Sequence, residues 1–360
     1  MIRSIIIAAG GTGGHISPGI AIAESLMELK SEIDFESLAI HSLLRNKDNP
    51  DLKEAPCPVI WHNTPQLNKN IITLPFLFSY NLLKTIFQFR KQKVDCVIAM
   101  GGYSSLPAII YAILFRKTIF LCEQNTIVGK VTKYFSKYAS KIAFSFPPVS
   151  LEKIKTKNVR ILGNPLRKKI IPDLKPNSGK ISAVNKKEKL NVLVMGGSQG
   201  ARQINNMVIS SMNNPEISKN FNFRLLTGTS LYDEARAKSQ KTADIISYSE
   251  NMKTHYEWAN LVIARSGAGV ISECALYALP QILIPYPYAA DNHQVANADY
   301  FRDNAGAWVL NQKDENTSTL VDILLEIAND RESLINVAHK SFSCAKINAS
   351  IDTVKFFFKE

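Results

Sequence analysis

Four glycines and a histidine follow the first apolar run of the chain, in the segment GGTGGH at 10–15. Glycines placed after a strand let the backbone approach a ligand closely, and they expose N–H groups where a helix begins. Phosphate and sugar oxygens suit such amides, and histidine is the side chain best suited to proton transfer near neutral pH. The segment therefore predicts a ligand site with His15 beside it. The alternative is a tight turn that only joins a strand to a helix.

Two further segments repeat this arrangement in the second half of the chain. GGSQGAR at 196–202 combines glycines with the side-chain donors Ser198 and Gln199. RSGAGVISE at 265–273 begins a helix whose N-terminal amides and macrodipole favour a diphosphate. Glu273 follows one or two turns later, where a carboxylate can accept both hydroxyls of a ribose. The alternative for Glu273 is a solvated acid on a helix surface.

Short apolar runs alternate with helical patterns along the chain and place these segments. The runs lie at 2–9, 94–100, 119–122, 190–195, 261–264 and 282–285. This alternation predicts parallel sheets with helices on both faces. Because 5–14 resembles 192–200, we expect two Rossmann-like halves, with ligands where strand C-termini face an interdomain cleft. Ser17 and Pro18 predict the N-cap and the first residue of the first helix.

Composition narrows the class of protein. The net charge of +12 and the pI of about 9.3 favour polyanions such as nucleic acid, anionic lipid or phosphorylated substrates. The five cysteines form no CxxC or Cys/His cluster, which argues against a disulfide framework or structural zinc and fits a reducing cytosol. Ile16 stands where a dinucleotide fingerprint has its third glycine, which argues against an NAD-dependent dehydrogenase. No nucleic-acid-binding signature is present, so we expect no nucleic-acid partner.

Two apolar stretches bear on membrane contact. Residues 97–115 carry no charge, but they contain GGYSS and a proline, which predicts a buried strand, a loop and the start of a helix. Residues 71–93 hold an apolar run followed by cations, which favours a segment lying in an anionic headgroup region. The alternative is a core helix with a solvated basic end. The lysine-rich stretch 163–190 is the predicted linker between domains.

At this point seven segments in register resemble one family over roughly residues 2–310. The segments are GGTGGH (10–15), GGY (101–103), CEQN (122–125), GNPLR (163–167), GGSQGAR (196–202), RSGAGVISE (265–273) and PYPYAADNHQ (285–294). Together they resemble the UDP-N-acetylglucosamine:lipid-linked muramyl-pentapeptide N-acetylglucosaminyltransferases of peptidoglycan synthesis, the MurG family.

The resemblance implies an α/β protein of the GT-B fold with two Rossmann-like domains. The first, 1–163 with a C-terminal helix at about 340–360, would bind the lipid acceptor and an anionic membrane surface. The second, 164–339, would bind UDP-N-acetylglucosamine. The implied reaction is inverting transfer to the muramyl 4-hydroxyl of undecaprenyl-pyrophosphoryl-muramyl-pentapeptide. It would occur at the cytoplasmic face of the cell inner membrane, by a peripheral enzyme without a cofactor.

The resemblance also implies the residues that bind the donor. The sugar and diphosphate would be lined by Thr12, Gly13 and Gly14, and the sugar would be reached by Asn125 and Gln294. The diphosphate would be faced by Arg167 and Ser198, and the backbone of Ser249 would bind the uracil. The phosphate and ribose would be held by Ala268, Gly269, Val270, Ile271, Ser272 and Glu273. Val270 replaces a threonine common in the family, which leaves one hydroxyl contact to phosphate open. Ser249 replaces a larger aliphatic residue, which leaves packing against the base open.

Transfer needs a stabilised leaving diphosphate and a deprotonated acceptor hydroxyl. The chain contains no Asp-x-Asp, so we expect helix N-termini, glycine loops and Arg167 to act in place of a metal. His15 is the expected catalytic residue, which positions or deprotonates the acceptor; its alternative role is to cap the helix. Glu123 is the rival base, and its alternative role is a hydrogen bond to the loop backbone.

Other functions stay open from the residues alone. Another GT-B lipid glycosyltransferase would use the same donor residues. A UDP-N-acetylglucosamine 2-epimerase would have a related fold, but it needs a cluster of acid and base residues that the sequence does not display. A non-catalytic basic protein that binds membrane or nucleic acid would explain the charge but not the three glycine loops.

Overall fold

The computed structural model of the chain describes residues 2–11, 13–44, 50–63, 74–173, 188–197, 199–239, 243–312 and 317–359. Its strands are β1 (Ser4–Ala8), β2 (Ser37–Leu44), β3 (Val59–Asn63), β4 (Cys96–Ala99), β5 (Thr118–Glu123), β6 (Lys141–Phe144), β7 (Val159–Ile161), β8 (Leu190–Met195), β9 (Phe221–Leu226), β10 (Asp244–Ile246), β11 (Leu261–Ala264), β12 (Gln281–Leu283) and β13 (Trp308–Val309). Its α-helices are α1 (Gly13–Glu28), α2 (Pro50–Lys53), α3 (Leu74–Lys91), α4 (Leu106–Leu114), α5 (Lys130–Phe135), α6 (Arg202–Ser211), α7 (Pro215–Asn220), α8 (Tyr232–Lys238), α9 (Met252–Trp258), α10 (Ala268–Leu276), α11 (His293–Ala305), α12 (Thr317–Asn329), α13 (Arg331–Ser343) and α14 (Ala349–Phe358).

The strands form two sheets whose paired strands are all parallel. One sheet has the order β3-β2-β1-β4-β5-β6-β7, and the other has the order β10-β9-β8-β11-β12-β13. In each sheet the chain runs outward from a central strand, returns to the centre and continues to the other edge. That order is the Rossmann arrangement, and its switch point lies between β1 and β4 in one sheet and between β8 and β11 in the other. The two predicted Rossmann-like halves are confirmed.

Apolar strands are required because helices cover both faces of a parallel sheet. All five residues of β1 are buried. Ile5 and Ile7 pack in a core that includes residues of α1 and α14, whereas Ile6 packs on the opposite face in a core that includes residues of α4. The alternation of side chains along a strand thus supplies two cores from one apolar run.

The chain folds as two compact units. The first unit comprises Met1–Lys168 and Asn348–Glu360, and the second comprises Lys169–Ile347. The sequence-based boundaries at 163 and about 340 lie a few residues before these positions. The predicted linker, 163–190, includes residues 174–187, which lie outside the described residues.

Helix α14 returns the chain to the first unit after the whole second unit. The Phe357 ring stacks on Phe120 of β5 with centroids 4.6 Å apart. Lys141 of β6 donates from Nζ to the backbone oxygens of Phe356 and Phe357, at 2.7 and 3.2 Å. These contacts satisfy carbonyls in the last turn of α14, where a cation is also favoured by the helix dipole.

The prediction that the first helix begins at Pro18 is wrong. Helix α1 begins at Gly13, so Pro18 lies inside it. A proline at this position lacks the N–H that would bond the carbonyl of Gly14, and its ring crowds that carbonyl. That carbonyl belongs to the second residue of α1, so the lost bond lies near the N-terminal end of the helix. The earlier start means that the first amides of α1 belong to the glycine segment.

Residues 97–115 form most of β4, a loop and α4, as predicted. In the described part of the chain, no helix has both the length and the apolar character needed to cross a membrane.

Candidate active site

The switch point of the first unit brings the loop after β1 next to the loop after β4. Gly10 lies so close to β2 that an added Cβ would be 2.8 Å from the Leu43 oxygen. Gly13 has no atom within 4 Å of the place a Cβ would occupy. Gly10 is therefore needed for packing, whereas the space beside Gly13 is open.

His15 lies in the first turn of α1 and is half-buried. Its Nδ1 is 3.1 Å from Oε1 of Gln124, which follows the end of β5. The other side of the ring faces the backbone after β4, where a Cβ on Gly102 would be 3.0 Å from Nε2. The predicted histidine is thus held by loops that follow three neighbouring strands of the first sheet.

Glu123 ends β5 and is only 4% exposed. Its Oε1 accepts from the backbone N–H of Asn125 at 3.3 Å, and its Oε2 accepts from that of Gly129 at 2.9 Å. Both carboxylate oxygens therefore hold the loop that carries Asn125, which matches the alternative role predicted for Glu123.

The second unit repeats the switch-point geometry with the loops after β8 and β11. A Cβ on Gly200 would be 1.8 Å from the Thr227 oxygen, so this glycine is required for the loop after β8 to pack on the loop after β9. By contrast, nothing lies within 4 Å of a Cβ placed on Gly197 or Gly267. Gly267 is the N-cap residue of α10, where unbonded amides favour an anion, and Gly197 follows β8, the strand next to β11.

Glu273 lies on α10 in the second turn, and its carboxylate is held by a buried tyrosine. The hydroxyl of Tyr256 donates to Oε2 of Glu273 at 2.6 Å. Burial, followed by the nearby Glu273 carboxylate, raises the pKa of Tyr256 well above 10, which keeps its proton in place. The phenol therefore orients Glu273 as a hydrogen-bond acceptor for a further partner.

The first turns of α11 are bonded to the loop before α10. Ser266 donates from Oγ to the backbone oxygen of Gln294 at 2.7 Å, and Asn297 donates from Nδ2 to the Ser266 oxygen at 3.1 Å. The Oε1 of Gln294 accepts from the Tyr286 N–H at 2.9 Å. These bonds orient the Gln294 amide through its oxygen and place it beside the N-terminal loop of α10.

Comparison with known proteins decides the family. The model of the glycosyltransferase family 28 N-terminal domain matches residues 5–144, and that of the family 28 C-terminal domain matches residues 191–353. A UDP-N-acetylglucosamine--N-acetylmuramyl-(pentapeptide) pyrophosphoryl-undecaprenol N-acetylglucosamine transferase of Leptospira interrogans is 56% identical over 357 residues, which is 99% of each chain. The chain belongs to this transferase family.

More distant comparisons agree. The Francisella philomiragia protein of the same name is 31% identical and covers 94% of this chain and 92% of its own length. The crystal structure of Acinetobacter baumannii MurG matches with a TM-score of 0.80 at 22% identity, over 99% of this chain and 100% of that one. The transferase therefore has the predicted GT-B fold.

The structure of the transferase places the predicted residues that it describes, apart from Arg167, in segments that follow strands of the two sheets. Gly13, Gly14 and His15 form the first turn of α1, and Asn125 follows β5. The second unit places 268–273 at the start of α10, with Ser249 after β10 and Gln294 in the first turn of α11. Val270 and Ser249 are both half-buried. Thr12 and Ser198 lie outside the described residues.

Arg167 has a different environment from the one predicted for a diphosphate ligand. It is buried in the first unit, where Nη2 is 2.8 Å from Glu54 Oε2, Nη1 is 3.5 Å from Asp51 Oδ1 and Nε is 3.5 Å from Glu24 Oε1. Three carboxylates already balance this one guanidinium. These ion pairs indicate that Arg167 stabilises the first unit. They do not support a contact between Arg167 and a diphosphate.

Two residues that sequence reasoning missed contact predicted site residues. In the sequence, Gln124 stands within CEQN, and Tyr256 belongs to no motif. Gln124 lies 109 positions from His15 in the sequence, so only the strand order could have paired them. Tyr256 precedes β11 and Glu273 follows it. The alternation of strands and helices alone does not predict that these two side chains are in contact.

Proposed function

We propose that the enzyme transfers N-acetylglucosamine from UDP-N-acetylglucosamine to the muramyl 4-hydroxyl of undecaprenyl-pyrophosphoryl-muramyl-pentapeptide, with inversion at the anomeric carbon. The observation that carries this proposal is the 56% identity to the Leptospira interrogans transferase of that name, which spans 99% of both chains. The similarity therefore includes both glycine loops and the helix that carries Glu273.

The second unit would bind the donor. The amides at the start of α10, with Gly269 and Val270, would take the diphosphate, because a helix N-terminus attracts anions. Glu273, oriented by Tyr256, would accept the ribose hydroxyls. The Ser249 backbone would read the uracil, and Gln294 would contact the sugar. The same amides would stabilise the leaving UDP, so we propose that the chemistry needs no metal.

The first unit would bind the lipid acceptor, with Gly13, Gly14 and Asn125 near the transferred sugar. His15 would act as the general base. Glu123 is a weaker candidate because both of its carboxylate oxygens accept loop N–H groups.

The first experiment is transfer of radiolabelled N-acetylglucosamine from UDP to a short-chain lipid-linked muramyl-pentapeptide, with and without EDTA. We expect labelled product in both tubes. No product from protein that still binds UDP-N-acetylglucosamine would contradict the acceptor assignment. Activity lost in EDTA and restored by magnesium would contradict the metal-independent mechanism.

His15→Ala tests the base. Loss of a general base typically costs about 10²–10⁴-fold in rate, so we expect a loss of that size in kcat with unchanged affinity for UDP-N-acetylglucosamine. Near-normal turnover would exclude His15 as the base.

We further propose that α3 attaches the enzyme to the cytoplasmic face of the cell inner membrane. Four large apolar or aromatic side chains of α3 are exposed at helical spacing: Phe76, Tyr80, Leu83 and Phe87. Such an exposed stripe on one helix is unusual for a monomeric soluble surface. Lys84, Arg90 and Lys91 on the same helix, with Lys93 after it, suit anionic headgroups.

Replacement of Phe76 and Phe87 by serine tests this attachment. Each side chain is 75% exposed, and burying a phenylalanine contributes about 1.5–3 kcal/mol. We expect the pair to weaken binding to anionic vesicles by roughly thirty-fold or more. Tyr134→Ser, at an exposed aromatic residue of α5, is the matched control and should bind as the wild type does. Equal binding by all three proteins would contradict the assignment.

A further inference from the structure

The ring of His15 contacts a glutamine whose own orientation is fixed. Gln124 is 2% exposed, and its Nε2 donates to the backbone oxygen of Cys122 at 3.4 Å. Its Oε1 is the atom 3.1 Å from Nδ1 of His15. The amide thus bridges the end of β5 and the first turn of α1.

The donor and acceptor properties of these groups decide where the imidazole proton lies. The backbone oxygen of Cys122 can only accept, so the amide must direct its NH₂ group toward it. This leaves the amide oxygen for His15, and because that oxygen also only accepts, Nδ1 must carry a hydrogen. In the neutral ring, Nε2 then carries the lone pair.

We propose that Gln124 is a positioning residue that holds neutral His15 in the Nδ1–H tautomer and so presents Nε2 as the basic nitrogen. The assignment of the tautomer stands on the contacts of the ring. Its use in abstracting the acceptor proton rests on the proposed function.

The glycine pair after β4 fits the same arrangement. A Cβ on Gly102 would be 3.0 Å from Nε2 and 3.1 Å from Cδ2 of His15, so any side chain there would push against the edge of the ring that carries Nε2. Gly102 has φ 70° and ψ 165°, a conformation open essentially to glycine alone. The GGY segment is therefore explained by the histidine that it faces.

Nitrogen NMR of the full chain labelled with ¹⁵N-histidine reports the tautomer directly. The chain has six histidines, and the signal missing from His15→Gln identifies His15. At a pH where the ring is neutral, we expect a protonated Nδ1 and an unprotonated Nε2 in the wild type. Gln124→Met removes the acceptor and should bring both tautomers into the spectrum. Gln124→Glu retains an acceptor and should preserve the Nδ1–H form.

The same variants should separate in transfer rate. Loss of one hydrogen bond should lower kcat by about 3- to 10-fold in Gln124→Met, while Gln124→Glu should retain more of the activity. Gln88→Leu is the matched control, because Gln88 Oε1 is 3.0 Å from Nε2 of His62, a Gln–His pair of the same unit outside the proposed site. It should leave the His15 signal unchanged.

Each outcome supports or overturns the proposal. If neutral His15 of the wild type is protonated at Nε2, the proposal is overturned without any variant. The proposal can therefore be tested even if the Gln124→Met protein does not fold. An Nδ1–H signal that persists in folded Gln124→Met also overturns it. In a third outcome, the tautomer changes in Gln124→Met but the transfer rate does not. This outcome supports the positioning of the ring by Gln124 and contradicts the role of His15 as the base.

Discussion

Because His41 is fully buried, we predict that the first unit loses stability in mild acid. The side chain is fully buried on β2, with its Nε2 3.2 Å from Nδ1 of His62 on β3. The ring of Phe89 packs edge-on against it, with centroids 5.1 Å apart. Burial, followed by the charge of His62, lowers the pKa of His41 from its usual 6.5 to about 3.

The sign of the effect follows from proton binding. Between pH 6.5 and about 3, the unfolded chain binds a proton at His41 and the folded chain does not. Stability is therefore complete above the unfolded pKa and falls as the pH falls. One pKa unit corresponds to about 1.36 kcal/mol, so lowering the pH from 7.5 to 5 should cost about 2 kcal/mol at this residue.

Urea unfolding of the first unit measures this cost. The three tryptophans are Trp61, Trp258 and Trp308, and only Trp61 lies in the first unit. Replacing the other two with phenylalanine leaves a fluorescence reporter for that unit, which avoids treating a two-unit protein as a single transition. In this background His41→Gln removes one titrating group and leaves His62 to titrate in both proteins.

We expect the wild type to lose about 2 kcal/mol more than His41→Gln between pH 7.5 and 5. A lower absolute stability of the variant leaves the comparison intact, because the pH dependence is what is compared. Parallel pH dependence of the two proteins would refute the reasoning and would mean that the buried ring accepts a proton at little cost.

Three further predictions concern the second unit and the return of the chain. In Gly269→Ala, the added methyl meets only Glu273 Oε1, at 3.9 Å, so we expect α10 to gain about 0.5–1 kcal/mol of stability. Binding of UDP-N-acetylglucosamine, measured by calorimetry, should weaken by about tenfold. Unchanged binding would contradict a diphosphate at these amides. Tyr256→Phe removes the bond to Glu273, so KM for the donor should rise about 3- to 10-fold at constant kcat, and the difference should shrink with a donor that lacks the ribose 2′-hydroxyl. Lys141→Met removes two bonds to the last turn of α14 and should destabilise the first unit by about 1–3 kcal/mol in urea, whereas an unchanged midpoint would refute this role.

The sequence predicted the repeating strands and glycine loops because each is a local pattern. Apolar runs such as 2–9 and 190–195 are typical of strands that are buried on both faces of a sheet. Glycines directly after such a run indicate a loop whose backbone lies close to its surroundings. The start of α1 was predicted wrongly because Pro18 is a strong local signal for a first helical residue, whereas α1 extends back to Gly13 and holds the proline inside it.

The contacts of the site were less predictable because they depend on which strands are neighbours. His15 faces Gln124 only because β1, β4 and β5 lie side by side. Arg167 illustrates the same limit. Its motif suggested an anionic ligand, and the fold supplies three carboxylates from distant positions of the first unit instead.

The route of the chain through α14 sets the order in which the protein can be completed during translation. The second unit is one continuous segment, Lys169–Ile347, whereas the first needs Asn348–Glu360 as well. Synthesis from the N-terminus therefore finishes the second unit first. Until α14 emerges, the surface of the first unit that Phe357 and Val354 will cover lacks its partner. A nascent first unit is thus open to aggregation for as long as the ribosome takes to make the second, and this interval is where we expect chaperones to bind.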